Sequence, residues 1–467
     1  MPALTLCPSR CSSPSWTVSP SPAFSAPVVR WLRTEGYTAV SSSTHPLTLP
    51  PILLPRKKAE MSDLESNHRT GIEQRNNDEP LRVLLLVHEL FPGAPSVPLE
   101  AFELSKGRIT LRTVALGGGF LEGRYRRLGE VDIVPAWEPP LLRRLSRRWF
   151  LWWLGRRLAK FRPQLLYVNS VVTLPLAREL PLPNVPLLLH VHELESEIEP
   201  VLTVNGALLR EWPGRYVAVS DAVRNVLRKT VGIPNDKIVL IHDFIRDDML
   251  ARSDRRHELN ADETQGTFVV GGAGRPSWRK GMSLWLQMAA ALRQVAPALR
   301  VEFCWVGMVD NAVARAARLE ANKLGVDGIV KFIPLMEQPT DEYRRFNVFA
   351  LTSWEDPCPL VVLETMALGK PVVCFAGGGG APEEVGDCGV IVPEFDPQMM
   401  AAKVAELAGN SARREALGRH AQSRVQRMFV ASVQAPKLLE QMRQVAAGEG
   451  RVPVKRTRFL GTRSWLG

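Results

Sequence analysis

Two successive series of short apolar runs, each run separated from the next by a helix-like segment, set the limits on what this chain can fold into. The first series starts at Leu81 with LRVLLLVHEL and continues through ITLRTVAL, VDIVP, QLLYVNS, VPLLLHVHE, RYVAVS and KIVLI. Runs this short and this continuously apolar fill strands buried on both faces. Strands that alternate with helices specify a parallel sheet covered on both sides. Ser220 stands where it can cap a helix beginning at Asp221. A polar, charged stretch over 249–266 then interrupts the pattern, and a second series follows: TFVVGG, VEFCWVG, IVKFIP, VFALTS, PVVCF and GVIVP. After Gly281, the residues Leu284, Met288, Ala291 and Leu292 give one apolar helix face. The expectation is α/β: two doubly wound parallel-sheet domains in tandem, 81–248 and 267–410, joined by a linker at 249–266. Helices over 411–448 would pack across both. Ligands of such sheets bind outside the carboxyl ends of the strands, so the cleft between the domains is the expected site.

The net charge of +11 suggests nucleic acid until it is located. Residues 1–60 carry +4 and residues 451–467 carry +5, which leaves the 390 residues between them nearly neutral. A nucleic-acid role needs its basic residues on a folded face, so none is expected. Ten prolines and many serines in residues 1–60 cannot build a core, and 1–80 reads as a disordered extension with Met61 as a candidate start of translation. Residues 449–467 read as a basic tail. The six cysteines show no metal-ligand or redox spacing, and Cys304, Cys374 and Cys388 sit in or beside apolar runs as small hydrophobes. A reducing compartment, the cytoplasm, is expected. No apolar run reaches bilayer-spanning length, and prolines and serines break every candidate signal peptide.

Three stretches of the second series carry chemistry. GGAGRPSWRKG, 271–281, ends a strand in glycines and opens a helix, with Arg275 and Lys280 in the same turn. Glycines let a ligand approach the backbone, and a fork and a point charge at a helix N-terminus suit a diphosphate. In SWEDPCPLVVLETMALGKPVV, 353–373, a strand ends in an acidic loop, and Pro359 suits the first turn of a helix that stops near Gly369 and Pro371. Glu364 lies in that helix near its N-terminal end, and Asp356 lies eight residues earlier, beside Glu355. One carboxylate can accept both hydroxyls of a ribose, and another can hold a sugar hydroxyl. CFAGGGGAPEEVGDCGVIV, 374–392, places four glycines after a strand, where Gly378 and Gly379 can present backbone N–H groups to oxygen ligands. Each stretch alone also reads as an ordinary turn with solvated charges.

Taken in order, GRPSWRKG, DPCPLVVLETMALGKPVV and AGGGGAPEEVG resemble the donor domain of the GT-B glycosyltransferases, specifically the large retaining family four, over the whole second domain. VSDAVRNVLRKTVGIPNDKIVLIHDFI, HVHELE and the early GAP turn are similar to that family in the first domain. The resemblance implies a GT-B fold of two Rossmann-like domains and transfer of a sugar from a nucleotide-diphosphate donor to a saccharide or lipid-linked acceptor. Retention of configuration is implied, in polysaccharide or glycolipid assembly. It implies that Arg275 and Lys280 bind the diphosphate, that Glu364 and Leu360 contact the nucleoside side, and that the acidic loop contacts the transferred sugar through Asp356 or Glu355. Gly378 and Gly379 would approach the donor as well. His192 would face the sugar across the cleft, and Gly93 of GAP would approach from that side too. The family usually has Glu at the first carboxylate and often Asn-Gly where this chain has His242-Asp243. The chain contains no Asp-x-Asp, a pair that enzymes holding a metal between diphosphate and protein often use, so no metal requirement and no cofactor are expected. The alternatives are a nucleotide-sugar epimerase of the same fold and a non-catalytic nucleotide-sugar-binding protein.

Residues 143–162, RRLSRRWFLWWLGRRLAKFR, combine arginines with three tryptophans. The segment suits an anionic membrane surface on the inner face of the cell membrane. It equally suits a peripheral helix packing its aromatic face on the sheet with its arginines in water.

Overall fold

The computed structural model describes residues 79–135, 140–180, 182, 185–251 and 266–448, with side chains except at 140–147 and 251. The N-terminal extension with Met61, most of the linker and the basic tail lie outside the described residues.

Every apolar run of the two series contains a strand. β1 (Leu81–Val87), β2 (Ile109–Ala115), β3 (Gly129–Ile133), β4 (Leu165–Asn169), β5 (Leu187–Val191), β6 (Arg215–Ala218) and β7 (Ile238–Leu240) form one sheet in the order β3-β2-β1-β4-β5-β6-β7. β8 (Phe268–Ala273), β9 (Val301–Met308), β10 (Val330–Pro334), β11 (Val348–Leu351), β12 (Val372–Phe375) and β13 (Val390–Val392) form the second, in the order β10-β9-β8-β11-β12-β13. All the pairings are parallel. β4, β5 and β11 are buried along their whole length, as the unbroken apolar runs require.

The helices of the first half are α1 (Ser96–Leu104), α2 (Glu122–Leu128), α3 (Pro140–Phe161), α4 (Leu174–Glu179), α5 (Glu195–Glu211), α6 (Asp221–Val226) and α7 (Asp248–Ala251). Those of the second half are α8 (Met282–Val295), α9 (Ala312–Lys323), α10 (Thr340–Arg344), α11 (Leu360–Ala367), α12 (Ala381–Val385), α13 (Pro397–Ala408), α14 (Ser411–Met428) and α15 (Ala431–Ala447). Ser220 caps α6 by accepting from Val223 N–H at 3.3 Å. Leu284, Met288, Ala291 and Leu292 of α8 are all buried in the core of the second sheet. Pro359 keeps an extended ψ of 101° and so precedes α11 instead of lying in its first turn. Glu364 sits mid-helix, beside the buried residues Val362, Leu363 and Thr365.

The chain crosses between the sheets twice. It passes once from β7 toward β8, and once at Val430, where Ile245 N–H donates to Phe429 O at 3.0 Å and Ala431 N–H to Ile245 O at 2.9 Å. α14 packs against α11 of the second half. α15 returns to the first half, packs on α1, and buries Ala435, Leu438, Met442 and Val445 in the same apolar cluster as Leu85, Tyr167 and Leu188.

Both sheets reverse strand order between a first strand and its fourth neighbour in sequence, at β1/β4 and at β8/β11. The loops leaving these four strands carry Glu89 and Gly93, Ser170, Gly274 to Lys280, and Thr352 to Pro359. These are the positions where open α/β sheets bind ligands.

Candidate active site

On the second-sheet side, the loop after β8 lies directly on the loop after β11. Gly281 makes this possible: its φ is +61°, and a Cβ there would fall on the Thr352 carbonyl oxygen. Thr352 Oγ1 donates to Gly281 O at 3.0 Å, and Trp354 N–H donates to Arg279 O at 2.7 Å. This contact brings Lys280 Nζ to 2.6 Å from Asp356 Oδ2, which also accepts from Ser353 Oγ at 3.1 Å. The acidic loop is then zipped to the glycine loop by a parallel bridge. Asp356 N–H donates to Gly378 O at 2.9 Å, and Gly380 N–H donates to Asp356 O at 2.8 Å. Gly379, at φ +102°, lies so close to Asp356 O that no side chain fits there.

Glu364 has no side-chain hydrogen-bond partner among the described residues. Burial alone pushes its carboxyl up to about 7. Glu384 of α12 is buried, and burial first, then the charges of Asp356 and Asp243, hold its carboxyl well above the usual range. The Cys358 thiol donates to Glu384 Oε1 at 2.9 Å.

On the first-sheet side, the end of β5 carries His190 and His192. His192 Nε2 lies 3.0 Å from Asn169 Oδ1, and Nδ1 lies 3.2 Å from Asp243 Oδ2. Asn169 Nδ2 donates to Ala94 O at 3.2 Å, which ties the GAP turn to β4. Burial lowers the His192 pKa, but the charge and hydrogen bond of Asp243 and the charge of Glu193 outweigh it, so the net shift is upward. His190, fully buried, shares a 2.6 Å hydrogen bond with Tyr167 through Nδ1. Burial, then the neighbouring His192, pushes its pKa well below the ordinary value.

Side chains from the two halves meet across the cleft. Arg275 forms a two-armed ion pair with Glu89, one arm at 3.1 Å, and lies over the Phe91 ring at 5.5 Å. Burial would raise the Glu89 carboxyl, but hydrogen bonds from His88 and Arg275 hold it at about 2. Arg279 pairs with Glu197 at 3.1 Å. Two carboxylates of the second half also sit on helix N-termini of the first half. Glu355 accepts from Ser196 N–H and Oγ, at 3.3 and 2.5 Å, at the start of α5. Glu383 accepts from Asp221 N–H at 2.7 Å at the start of α6, and contacts His242 Nε2 at 2.6 Å. A helix N-terminus offers free N–H groups and positive potential, so both placements are favourable.

The residues named from sequence therefore fall into two groups. Arg275, Lys280, Asp356, Gly378 and Gly379 are brought together around the β8 and β11 ends, with Leu360 and Glu364 on the helix that follows. Gly93 and His192 are held at the ends of β1 and β5. Two details differ from expectation. Gly378 spends its N–H on Phe375 O at 3.2 Å, so among the described residues Gly379 is the one of the pair whose N–H meets no acceptor. His192 is only 9% exposed, with both ring nitrogens engaged. Sequence reasoning missed Glu89, Asn169, Asp243, Arg279 and Glu383. Each acts through a partner at least 20 residues away, and no local spacing announces such a pairing.

Two parallel sheets of Rossmann order, facing a shared cleft with their switch points toward it, define the GT-B class. The comparisons agree. The Glycosyl transferases group 1 family matches residues 267–410, and Glycosyltransferase Family 4 matches residues 101–248. A solved structure of Anabaena Alr3699/HepE in complex with UDP and glucose superposes with a TM-score of 0.67 at 19% identity, covering 78% of this chain and 99% of that one. The chain is 33% identical over 174 residues to the D-inositol 3-phosphate glycosyltransferase of Corynebacterium kroppenstedtii, covering 35% of this chain and 38% of that protein. It is 24% identical over 296 residues to spore coat protein SA of Bacillus subtilis, covering 59% of this chain and 77% of that protein. The chain thus spans well under half the length of the first curated relative it matches. It belongs to the group 1, family 4 glycosyltransferases, with the GT-B fold.

Proposed function

We propose that this chain transfers a sugar, with retention of configuration, from a nucleotide-diphosphate donor bound on the second domain to a saccharide or lipid-linked acceptor on the first, in polysaccharide or glycolipid assembly. The observation that carries the reading is the pairing of its two basic residues. Arg275 and Lys280 lie in the one loop that leaves β8, and each is held by a carboxylate, Glu89 and Asp356. A diphosphate offers both cations the same kind of partner. It would also gain charge as it leaves, which makes fixed cations more valuable in the transition state than in the ground state. Glu364, unpaired and mid-helix, suits the two ribose hydroxyls, with Leu360 one turn earlier against the nucleoside. Asp356 is favoured over Glu355 as the sugar-facing carboxylate, because Glu355 is committed to the start of α5. Gly379 offers its N–H to the donor beside Gly378, and Gly93 approaches from the first domain. His192 lines the sugar's side, with Nε2–H, now on Asn169, as the group that reaches a hydroxyl. No metal is assigned to the diphosphate in this scheme. The test is a thermal-shift screen of the protein against UDP-, GDP- and ADP-sugars with and without EDTA. One nucleotide class should raise the Tm regardless of EDTA. No shift with any of the three would overturn the donor site.

We infer further, with the support of α3, that the acceptor is met at an anionic membrane, on the cytoplasmic face. The helix anchors itself through Phe150, Leu154 and Leu158, which are buried in the first-domain core. That leaves Trp149 at 63% and Trp152 at 56% exposure, flanked by exposed Arg148, Arg156 and Lys160. Phe150 and the partly buried Trp153 pack on the first-domain core, as the peripheral-helix alternative has it, and Trp149 and Trp152 are the aromatics left facing outward. Arg156 lies over the Trp152 ring at 4.8 Å, which pairs the charge with the wedge. No helix among the described residues is long and apolar enough to cross a membrane. Each basic residue near an anionic surface is worth about 1 kcal/mol. The R148A/R156A double variant is therefore expected to bind phosphatidylglycerol vesicles about tenfold or more weakly in a sedimentation assay. Equal binding to neutral and anionic vesicles would sink this part.

A further inference from the structure

Beneath the ends of β4 and β5, three buried side chains turn ligand atoms toward one another. The nitrogens of His190 and His192 and the oxygens of Asp243 all lie within 4.8 Å of one another. Only His192 figures in the donor reading, and it figures there through its other nitrogen. We propose that His190 Nε2, His192 Nδ1 and an oxygen of Asp243 form a binding site for one divalent transition-metal ion of the zinc class, separate from the handling of the diphosphate.

Four observations carry this. First, His190 Nε2 and Asp243 Oδ1 are buried without any hydrogen-bond partner, on residues 0% and 3% exposed, and they face each other at 3.9 Å. That is too long for a hydrogen bond, and each orphaned polar atom costs stability that a shared ligand would recover. Second, the spacings fit. His192 Nδ1 lies 3.2 Å from Asp243 Oδ2 and His190 Nε2 lies 3.9 Å from Asp243 Oδ1, so each nitrogen faces one carboxylate oxygen at close to the roughly 3.3–3.6 Å that separates ligands in a tetrahedron built on bonds of about 2.0–2.2 Å.

Third, the remote ring nitrogens are already oriented. His190 Nδ1 meets the Tyr167 hydroxyl at 2.6 Å, and His192 Nε2 meets Asn169 Oδ1 at 3.0 Å. An amide oxygen only accepts, so His192 Nε2 carries its proton there, and the facing nitrogen is the one left to ligate. A metal-bound histidine characteristically places its other nitrogen on an oxygen in this way, which fixes tautomer and ring angle. Fourth, the charge calls for a cation. Asp243 is joined by Glu193, whose carboxylate is held beside His192 by the backbone N–H of His192 at 2.9 Å and by Ser170. A proton on His192 Nδ1 would satisfy one oxygen of Asp243 and leave Oδ1 and His190 Nε2 still unpaired. A divalent ion satisfies all three groups at once. Two imidazoles and one carboxylate are a ligand set of zinc sites that keep a fourth position for water.

The ion would lock the His192 ring while leaving Nε2–H as its donor. The test uses the full chain, stripped with EDTA, dialysed and titrated with Co2+. The expected result is the visible absorption of low-coordinate Co2+ saturating at about one equivalent and abolished by Zn2+, with Zn2+ raising the Tm by mass action. Asp243→Asn, nearly isosteric, and His190→Gln should each weaken Co2+ binding by at least about tenfold. If His190→Gln fails to fold, Asp243→Asn alone decides. The proposal is overturned if the wild-type protein gives no saturable band, or if the folded variants bind Co2+ as the wild type does. Nucleotide-sugar binding, read separately, is independent of either result.

Discussion

Lys280→Ala is expected to lower kcat/KM for the nucleotide-sugar donor by about 10²–10³-fold, the usual loss when one preorganised charge is removed from a developing anion. The same change also strips the buried carboxylate of Asp356, whose other side-chain partner among the described residues is Ser353 Oγ at 3.1 Å, of its counter-charge. A buried charge left unpaired destabilises the fold, here by about 1–3 kcal/mol after allowing for the partial exposure of the lysine. Activity and stability would then fall together, and the single variant could not tell a binding residue from a structural one. The K280A/D356N double variant separates them. Neutralising the carboxylate should return most of the lost stability in urea unfolding, while kcat/KM stays at the level of the single variant or below. If the double variant regains activity along with stability, Lys280 serves only to pair Asp356, and its role toward the diphosphate is lost.

The second large effect concerns Glu364. Its carboxyl titrates at about 7 in the folded chain against an ordinary value of 4.5, because burial disfavours the charge and no cation or donor offsets it. Between those two values the folded state holds a proton that the unfolded state has released. Stability therefore falls as pH rises from 4.5 to about 7 and is level beyond. One pKa unit corresponds to 1.36 kcal/mol, so the penalty approaches about 3 kcal/mol, less whatever solvent access relieves. Glu364→Gln has no proton to lose. The urea midpoint of the wild type, measured relative to the variant, should drop between pH 5 and pH 8, and a saturating nucleotide should diminish the drop by supplying ribose hydroxyls to the carboxylate. Parallel curves for the two proteins across that interval would refute the assignment of an uncompensated, half-buried acid.

The architecture was legible because it is written in runs. A strand buried on both faces leaves a continuous apolar signature, and all of those runs became strands in two parallel sheets. The glycine and proline signals were nearly as clear, since Gly281 and Gly379 each stand where a side chain would strike a carbonyl. Harder to read were the groups that meet through topology. Glu89 and Arg275 are 186 residues apart, and Asp221 and Glu383 are 162 apart. Their pairing depends on how the two sheets are set against each other, which no window of sequence contains. The same limit hid the buried cluster of His190, His192 and Asp243, because two of its members are adjacent on one strand face and the third arrives from the end of another strand. Trp149 and Trp152 show a different limit. The amphipathic pattern of α3 was visible, but which of its faces is buried is decided by Phe150, Leu154 and Leu158 together with the sheet beneath them.

Because α15 completes the apolar layer over Leu85 and Tyr167, the first lobe lacks part of its interior until this last of the described helices has been made. Synthesis runs from the N-terminus, so on the ribosome the N-terminal lobe must wait, with that layer uncovered, while the whole of the C-terminal lobe emerges and folds. The lobe that begins first is therefore the one that finishes last.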